Sequence, residues 1–84
     1  MRNYDITFRS VTYAQRGESA LRSAGIRCAL GRAPRAMEER GCGYRLSIAQ
    51  GDVLPALEVL RSKQVPYRKV YARRGSGEWE EVAL

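Results

Sequence analysis

Residues 4–10 have the sequence YDITFRS, which predicts a β-strand that leads directly into a helix. Apolar and polar residues alternate over 4–8 with aromatic and β-branched side chains, as is typical of a strand buried on one face. Ser10 follows as a candidate N-cap, because its hydroxyl can accept a hydrogen bond from the first turn of a helix. We expect that helix over 12–24, with Gly25 ending it in the left-handed conformation.

The rest of the chain supplies the other elements in a regular order. Alternation predicts strands over 26–30, 44–48 and 67–72, and apolar residues at i, i+3, i+4 and i+7 predict a second helix over 53–63. The order strand, helix, strand, strand, helix, strand is that of the ferredoxin-like split βαβ arrangement. We therefore predict an α+β fold: a ferredoxin-like βαββαβ sandwich whose four-stranded antiparallel sheet carries both helices on one face.

Length and composition predict one domain and a short tail. The chain has 84 residues, enough for one small core, and its 44% hydrophobic content excludes a disordered chain. We assign residues 1–74 to the ferredoxin-like domain. Residues 75–84, GSGEWEEVAL, contain three glutamates and no basic residue, and we interpret them as an acidic flexible tail, disordered or loosely docked. The small core leaves homodimerisation open.

The charge of the chain favours an acidic partner. The net charge is +6, and 13 of the 15 basic residues are arginine, which forms bidentate contacts with carboxylate and phosphate. Solubility or composition bias alone could produce the same skew. No apolar run approaches the ~18 residues of a membrane span, and no signal segment begins the chain. These patterns predict a cytoplasmic protein, without a membrane partner and with reduced cysteines.

The connection over 31–43 contains the candidate reactive group, Cys42. It lies between Gly41 and Gly43, which carry no side chain that would shield its sulfur. Long connections in small domains are often functional. The alternative is a tight turn in which the glycines serve the backbone and the thiol is incidental.

Arginines surround this cysteine in the sequence. Arg35, Arg40 and Arg45 would favour the thiolate over the thiol or bind an acidic partner. The predicted topology makes the first two strands parallel, so Cys42 is expected where the first helix begins. Ser10 and the backbone N–H groups of the first turn would stabilise a thiolate, persulfide or oxyanion there.

The second cysteine and the absence of histidine limit the chemistry. Cys28 alternates with Ile26 and Leu30 on the expected core face, which indicates a buried small hydrophobe. Hairpin register places it beyond the ~7 Å Cα separation of a disulfide with Cys42. Two cysteines and no histidine do not make a structural zinc site, and no cofactor is predicted. A Cys–His catalytic pair is also excluded, which favours carrying a group over turnover.

These features together resemble a known family, the selenium/sulfur carrier-like proteins, which are small bacterial proteins. The resemblance covers about 4–71 and is carried by Phe8-Arg9-Ser10 before the first helix, Gly25 at its end, Pro34-Arg35 in the connection, and Cys42-Gly43 leading into a strand. It implies that Cys42 holds a terminal sulfur or selenium as a persulfide or selenosulfide. A donor protein resembling a cysteine desulfurase would supply that atom, and an acceptor protein would receive it.

An alternative function is a non-catalytic binding or regulatory module with a basic surface. Arg27, Arg45 and Arg68 could lie on a sheet face where Tyr67 or Tyr71 stacks on RNA bases. The aromatic-rich strand signature of RNA-binding modules is absent, however. Nucleic acid is therefore the weaker prediction, and an acidic protein is the better partner for such a module.

Overall fold

A computed structural model of the protein describes residues 3–33, 43–73 and 79–82. In chain order the elements are β1 (Asn3–Phe8), α1 (Val11–Ser23), β2 (Ala29–Arg32), β3 (Tyr44–Ala49), α2 (Val53–Ser62), β4 (Val70–Arg73) and β5 (Trp79–Val82), with a 3₁₀ turn at Gln50–Asp52 before α2. They form an α+β fold of two helices and one antiparallel sheet. Neither of these helices has the length and apolar character that a membrane span requires.

The sheet has the strand order β2-β3-β1-β4-β5, and every neighbouring pair is antiparallel. The predicted sequence of elements and the antiparallel pairing are confirmed for β1 to β4. The predicted count of four strands is wrong, because a fifth strand extends the sheet beyond β4. The ferredoxin-like arrangement is therefore confirmed only in part.

The additional strand comes from the segment interpreted as an acidic tail. Its register with β4 runs from Val70 opposite Val82 to Arg73 opposite Trp79. Lys69 Nζ lies 3.6 Å from Glu81 Oε1, an exposed pair that contributes little by itself. The main-chain ladder and the packing of Trp79 hold the strand instead. Residues 79–82 of that segment are therefore a strand of the sheet.

Both helices pack on the same face of the sheet, as predicted. One cluster of buried side chains joins β1, β3 and β4 to the two helices and to the turn after α2: Ile6, Phe8, Ala14, Leu21, Leu46, Ile48, Val53, Ala56, Leu57, Leu60, Val65 and Val70. The alternate residues of the strands face the other side of the sheet, so polar residues such as Asp5 and Thr7 occupy that second face.

The two helices end in the same way, but with different residues in the left-handed position. Gly25 has φ 79° after α1, and the N–H of Ile26 donates to Leu21 O at 2.9 Å. Gln64 has φ 58° after α2, and Val65 follows it in the equivalent hydrogen bond. Because Ile26 completes the end of α1, β2 begins at Ala29 and not at the predicted residue 26.

Replacement of Gly25 by alanine is expected to lower the free energy of unfolding by about 1 kcal/mol, because a Cβ disfavours the left-handed conformation. No atom lies within 4 Å of the added Cβ, so the cost is conformational and not steric. Urea unfolding measures it. Gln64→Gly is the matched control and should not destabilise the protein. Equal losses in both variants would contradict the conformational explanation.

Candidate functional site

One end of the sheet brings together the start of α1 and the two residues that flank the segment with Cys42. Phe8 at the end of β1 and Arg32 at the end of β2 both pair with Tyr44 at the start of β3. The N–H of Ala33 donates to Gly43 O at 3.1 Å. The strands β1 and β2 are therefore parallel, as predicted, and we call this edge of the domain the α1 end.

Four of the predicted site residues lie outside the described residues: Arg35, Arg40, Gly41 and Cys42. Their placement at a site stays a prediction. The other three, Ser10, Gly43 and Arg45, are described. Gly43 is buried at the α1 end, directly after Cys42 in the chain.

Ser10 has a structural role at the α1 end. Its Oγ accepts a hydrogen bond from the N–H of Tyr13 at 3.3 Å, which makes Ser10 the N-cap of α1 as predicted. The first turn of α1 contains no acidic residue, so the positive partial charge of this helix end is not offset within that turn. The N-terminus of α1 thus contributes positive potential near Gly43.

Basic side chains add to this potential. Arg9 is exposed immediately before the cap. Arg68 is exposed beside the end of β1, where its N–H donates to Thr7 O at 2.7 Å. Arg32 is exposed at the end of β2, with its guanidinium carbon 5.9 Å from the centroid of the Tyr44 ring. Three arginines from three different parts of the chain therefore make the α1 end electropositive.

Arg45 is directed elsewhere. Its Nη1 donates to Ser47 Oγ and lies 3.7 Å from Asp5 Oδ1, on the sheet face opposite the helices. The guanidinium lies beside Gly31, where an added Cβ would be 3.5 Å from Arg45 Cζ. These contacts point the side chain towards the centre of the sheet and away from Gly43. Its charge is opposed by a carboxylate, so Arg45 is a weaker candidate for stabilising a thiolate than the sequence predicts.

The carboxylate of Asp5 is the centre of a polar network that the sequence analysis did not identify. Asp5 is fully buried, and it accepts hydrogen bonds from the Ser47 hydroxyl and from the Trp79 indole N–H. Arg45 also belongs to this network, through its contacts with Asp5 and Ser47. Strand alternation and the register of β1 with β3 put Asp5, Arg45 and Ser47 on the same face of the sheet. The contact of Trp79 with Asp5 is not indicated by any sequence pattern, because these two residues are far apart in the chain.

Cys28 lies before β2, at the end of that strand opposite to the α1 end. It is half-buried, packs against the core cluster and forms no disulfide. Burial raises the pKa of its thiol, the negative charge of Glu18 raises it further, and Arg22 lowers it by its charge and by a hydrogen bond. The predicted full burial is wrong in degree, since a groove formed with Arg22 and Arg27 exposes part of the side chain.

The raised pKa predicts slow alkylation of Cys28. In Cys42→Ala protein at neutral pH, iodoacetamide should modify Cys28 more slowly than free cysteine, because less of the thiol is ionised. The rate should rise with pH and continue to rise above the ordinary pKa of a thiol. Intact-mass spectrometry against time measures it. A rate equal to that of free cysteine would contradict the prediction.

The sequence of the chain matches one known protein family. The family model described as "Putative Se/S carrier protein-like" matches residues 3–72. The match includes β1, α1, β2, β3, α2 and all of β4 except its last residue, and it leaves β5 outside. No curated protein matches the chain. Because the match covers far more than half of the 84 residues, the chain belongs to the Se/S carrier protein-like family.

Proposed function

We propose that this protein carries a sulfur or selenium atom on Cys42, as a persulfide or selenosulfide. The family match supports this class of function, and the matched residues 3–72 span position 42. The observation that carries the proposal is the electropositive α1 end. There the N–H of Ala33 donates to Gly43 O, and Gly43 directly follows Cys42 in the chain.

The electrostatics of the α1 end suit an anionic sulfur. The N-terminus of α1, without acidic residues in its first turn, favours the thiolate over the thiol, as do Arg9 and Arg68. The same groups stabilise the terminal sulfur anion of a persulfide. The Ser10 Oγ accepts a hydrogen bond from the N–H of Tyr13. The role of Ser10 in the site is therefore to cap α1 and so fix the position of the helix N-terminus.

The transfer needs no oxidant, reductant or histidine base. The Cys42 thiolate attacks the outer sulfur of a cysteine persulfide on a donor protein. A new S–S bond forms at Cys42, the S–S bond of the donor breaks, and the donor cysteine leaves as a thiolate with the electron pair. An acceptor thiolate later attacks the outer sulfur of Cys42 in the same way. Selenium follows the same steps with an S–Se bond, and an activated thiolate is sufficient for both.

The alternative of an RNA-binding sheet face has less support. Tyr71 is buried, and Tyr67 packs against the core cluster on the other side of the sheet. At the centre of the second face, the buried Asp5 carboxylate opposes the charge of Arg45, which weakens the attraction of this face for phosphate. Neither tyrosine therefore offers the exposed ring on which RNA bases stack.

Intact-mass spectrometry tests the carrier proposal. Protein purified without reductant and then treated with sodium tetrasulfide should gain one sulfur atom, and dithiothreitol should remove it. Cys42→Ala should lose the addition completely, whereas the matched control Cys28→Ala should retain it. Addition that persists in Cys42→Ala protein, or no addition in any of the three proteins, would refute Cys42 as the carrier position.

A further inference from the structure

A groove on the helix layer has no role in the chemistry proposed for Cys42. It runs between α1 and the turn that follows α2, and its volume is about 410 Å³. Thr12, Gln15, Arg16 and Ser19 line it from α1, and Lys63 and Val65 line it from the turn. The α1 residues follow helical spacing, so they present one stripe of polar side chains along two turns.

The lining has one sign of charge. Arg16 and Lys63 are exposed cations, and neither forms an ion pair with a carboxylate in the described parts of the chain. Thr12, Ser19 and Gln15 add hydroxyl and amide groups that can donate hydrogen bonds. Among the residues that the structure describes, no acidic side chain lines the groove. Such a set of donors matches carboxylates.

The shape of the groove favours an extended ligand. From Thr12 to Ser19 the stripe is roughly 10 Å long at 1.5 Å per residue. That length exceeds one small anion and accommodates about three residues of an extended peptide at ~3.3 Å each. No aromatic ring among the described lining residues could stack on a nucleic-acid base, so a peptide fits better than RNA.

The location of the groove connects it to the carrier site. Thr12 lies in the first turn of α1, two residues after the cap Ser10, so the groove begins at the α1 end. Lys63, the residue that directly follows α2, lies at the same end of the domain. A segment bound along the groove would therefore extend towards the end of the fold that bears Gly43.

We infer that this groove docks an acidic segment of the protein that donates or accepts the chalcogen atom. The inference rests on the proposed carrier function for the identity of the partner, and on the lining residues for its chemistry. Carboxylates of the segment contact Arg16 and Lys63, and its backbone carbonyls accept from the hydroxyl and amide groups. Attraction of this kind steers association and weakens with added salt.

Peptide titration tests the docking groove independently of sulfur chemistry, because it is carried out on Cys42→Ala protein. Fluorescence anisotropy follows a labelled oligo-glutamate peptide, with an oligo-glutamine peptide of the same length as the neutral control. Arg16→Glu and Lys63→Glu should each raise the Kd of oligo-glutamate about tenfold, since a repulsion replaces an attraction. Arg27→Glu makes the same charge change at an exposed site outside the groove and should have a much smaller effect.

Three results would overturn the inference. An equal loss of affinity for oligo-glutamate in Arg16→Glu and Arg27→Glu would show that the binding depends only on the net charge of the protein. Binding of oligo-glutamine with the affinity of oligo-glutamate would remove the role of carboxylates. An oligouridine that binds more tightly than oligo-glutamate and depends on Arg16 would assign the groove to nucleic acid. Groove binding with no sulfur loading of Cys42 would refute the carrier function and leave the docking surface standing.

Discussion

Replacement of Asp5 by alanine is expected to destabilise the protein by about 3 kcal/mol. The Asp5 carboxylate is fully buried and accepts hydrogen bonds from Ser47 and Trp79, with Arg45 at 3.7 Å. Removing one partner of a buried charge pair leaves the other uncompensated, at a cost of about 3–5 kcal/mol. The Arg45 side chain is 23% exposed, so water offsets part of this cost and places the loss at the lower limit.

This loss is comparable with the whole stability of so small a domain, ~3–5 kcal/mol. Urea unfolding at neutral pH measures it, and Trp79, the single tryptophan of the chain, reports on the network through its fluorescence. Glu58→Ala removes an exposed carboxylate from α2 and should stay within about 0.5 kcal/mol of the unchanged protein. An Asp5→Ala protein with unchanged midpoint and unchanged Trp79 emission would show that the network contributes nothing.

Elements with a strong local pattern were predictable from the sequence. Alternation over 4–8 predicts β1, which is Asn3–Phe8, and helical spacing over 53–63 predicts α2, which is Val53–Ser62. Each of these elements buries one face, so the spacing of its apolar residues in the sequence matches the spacing of its buried side chains. The order of these elements was sufficient to predict the parallel relation of β1 and β2.

Elements set by contacts distant in the chain were not predictable. β4 begins at Val70 and not at the predicted residue 67, because Thr7 holds the main chain before it with hydrogen bonds to Arg68 and Lys69. β5 has four residues, two of them glutamates, and no alternation that indicates a strand. Its place depends on pairing with β4 and on the bond from Trp79 to Asp5.

The same limit applies to the site. Arg45 is only three residues after Cys42 in the sequence, and this proximity suggests that its charge stabilises the Cys42 thiolate. The fold instead pairs Arg45 with Asp5, 40 residues earlier, across adjacent strands. Ser10 was predictable because a cap acts on its own helix, within three residues. The groove beside Arg16 was not, because Lys63 reaches it only through the packing of α2 on α1.

The close approach of α1 to the sheet depends on Gly17. A Cβ at this position would lie 3.1 Å from Phe8 Cζ and 3.2 Å from Leu46 Cδ1. Both side chains are fully buried in the core, so a shift of either one must be taken up by the residues packed around it. The glycine therefore has a packing role that its low helix propensity, about 1 kcal/mol below alanine, would not indicate.

Replacement of Gly17 by leucine is expected to destabilise the protein by about 3 kcal/mol, which is most of the ~3–5 kcal/mol of stability that so small a domain has. The added side chain would have to displace Phe8 or lift α1 from β1 and β3, and the gain in helix propensity, about 1 kcal/mol, offsets only part of that strain. Circular dichroism against urea measures the loss. Ser23→Leu introduces the same side chain at an exposed position of α1 and should change stability by less than about 0.5 kcal/mol. A Gly17→Leu protein as stable as Ser23→Leu would mean that α1 does not pack against Phe8 and Leu46 at this distance.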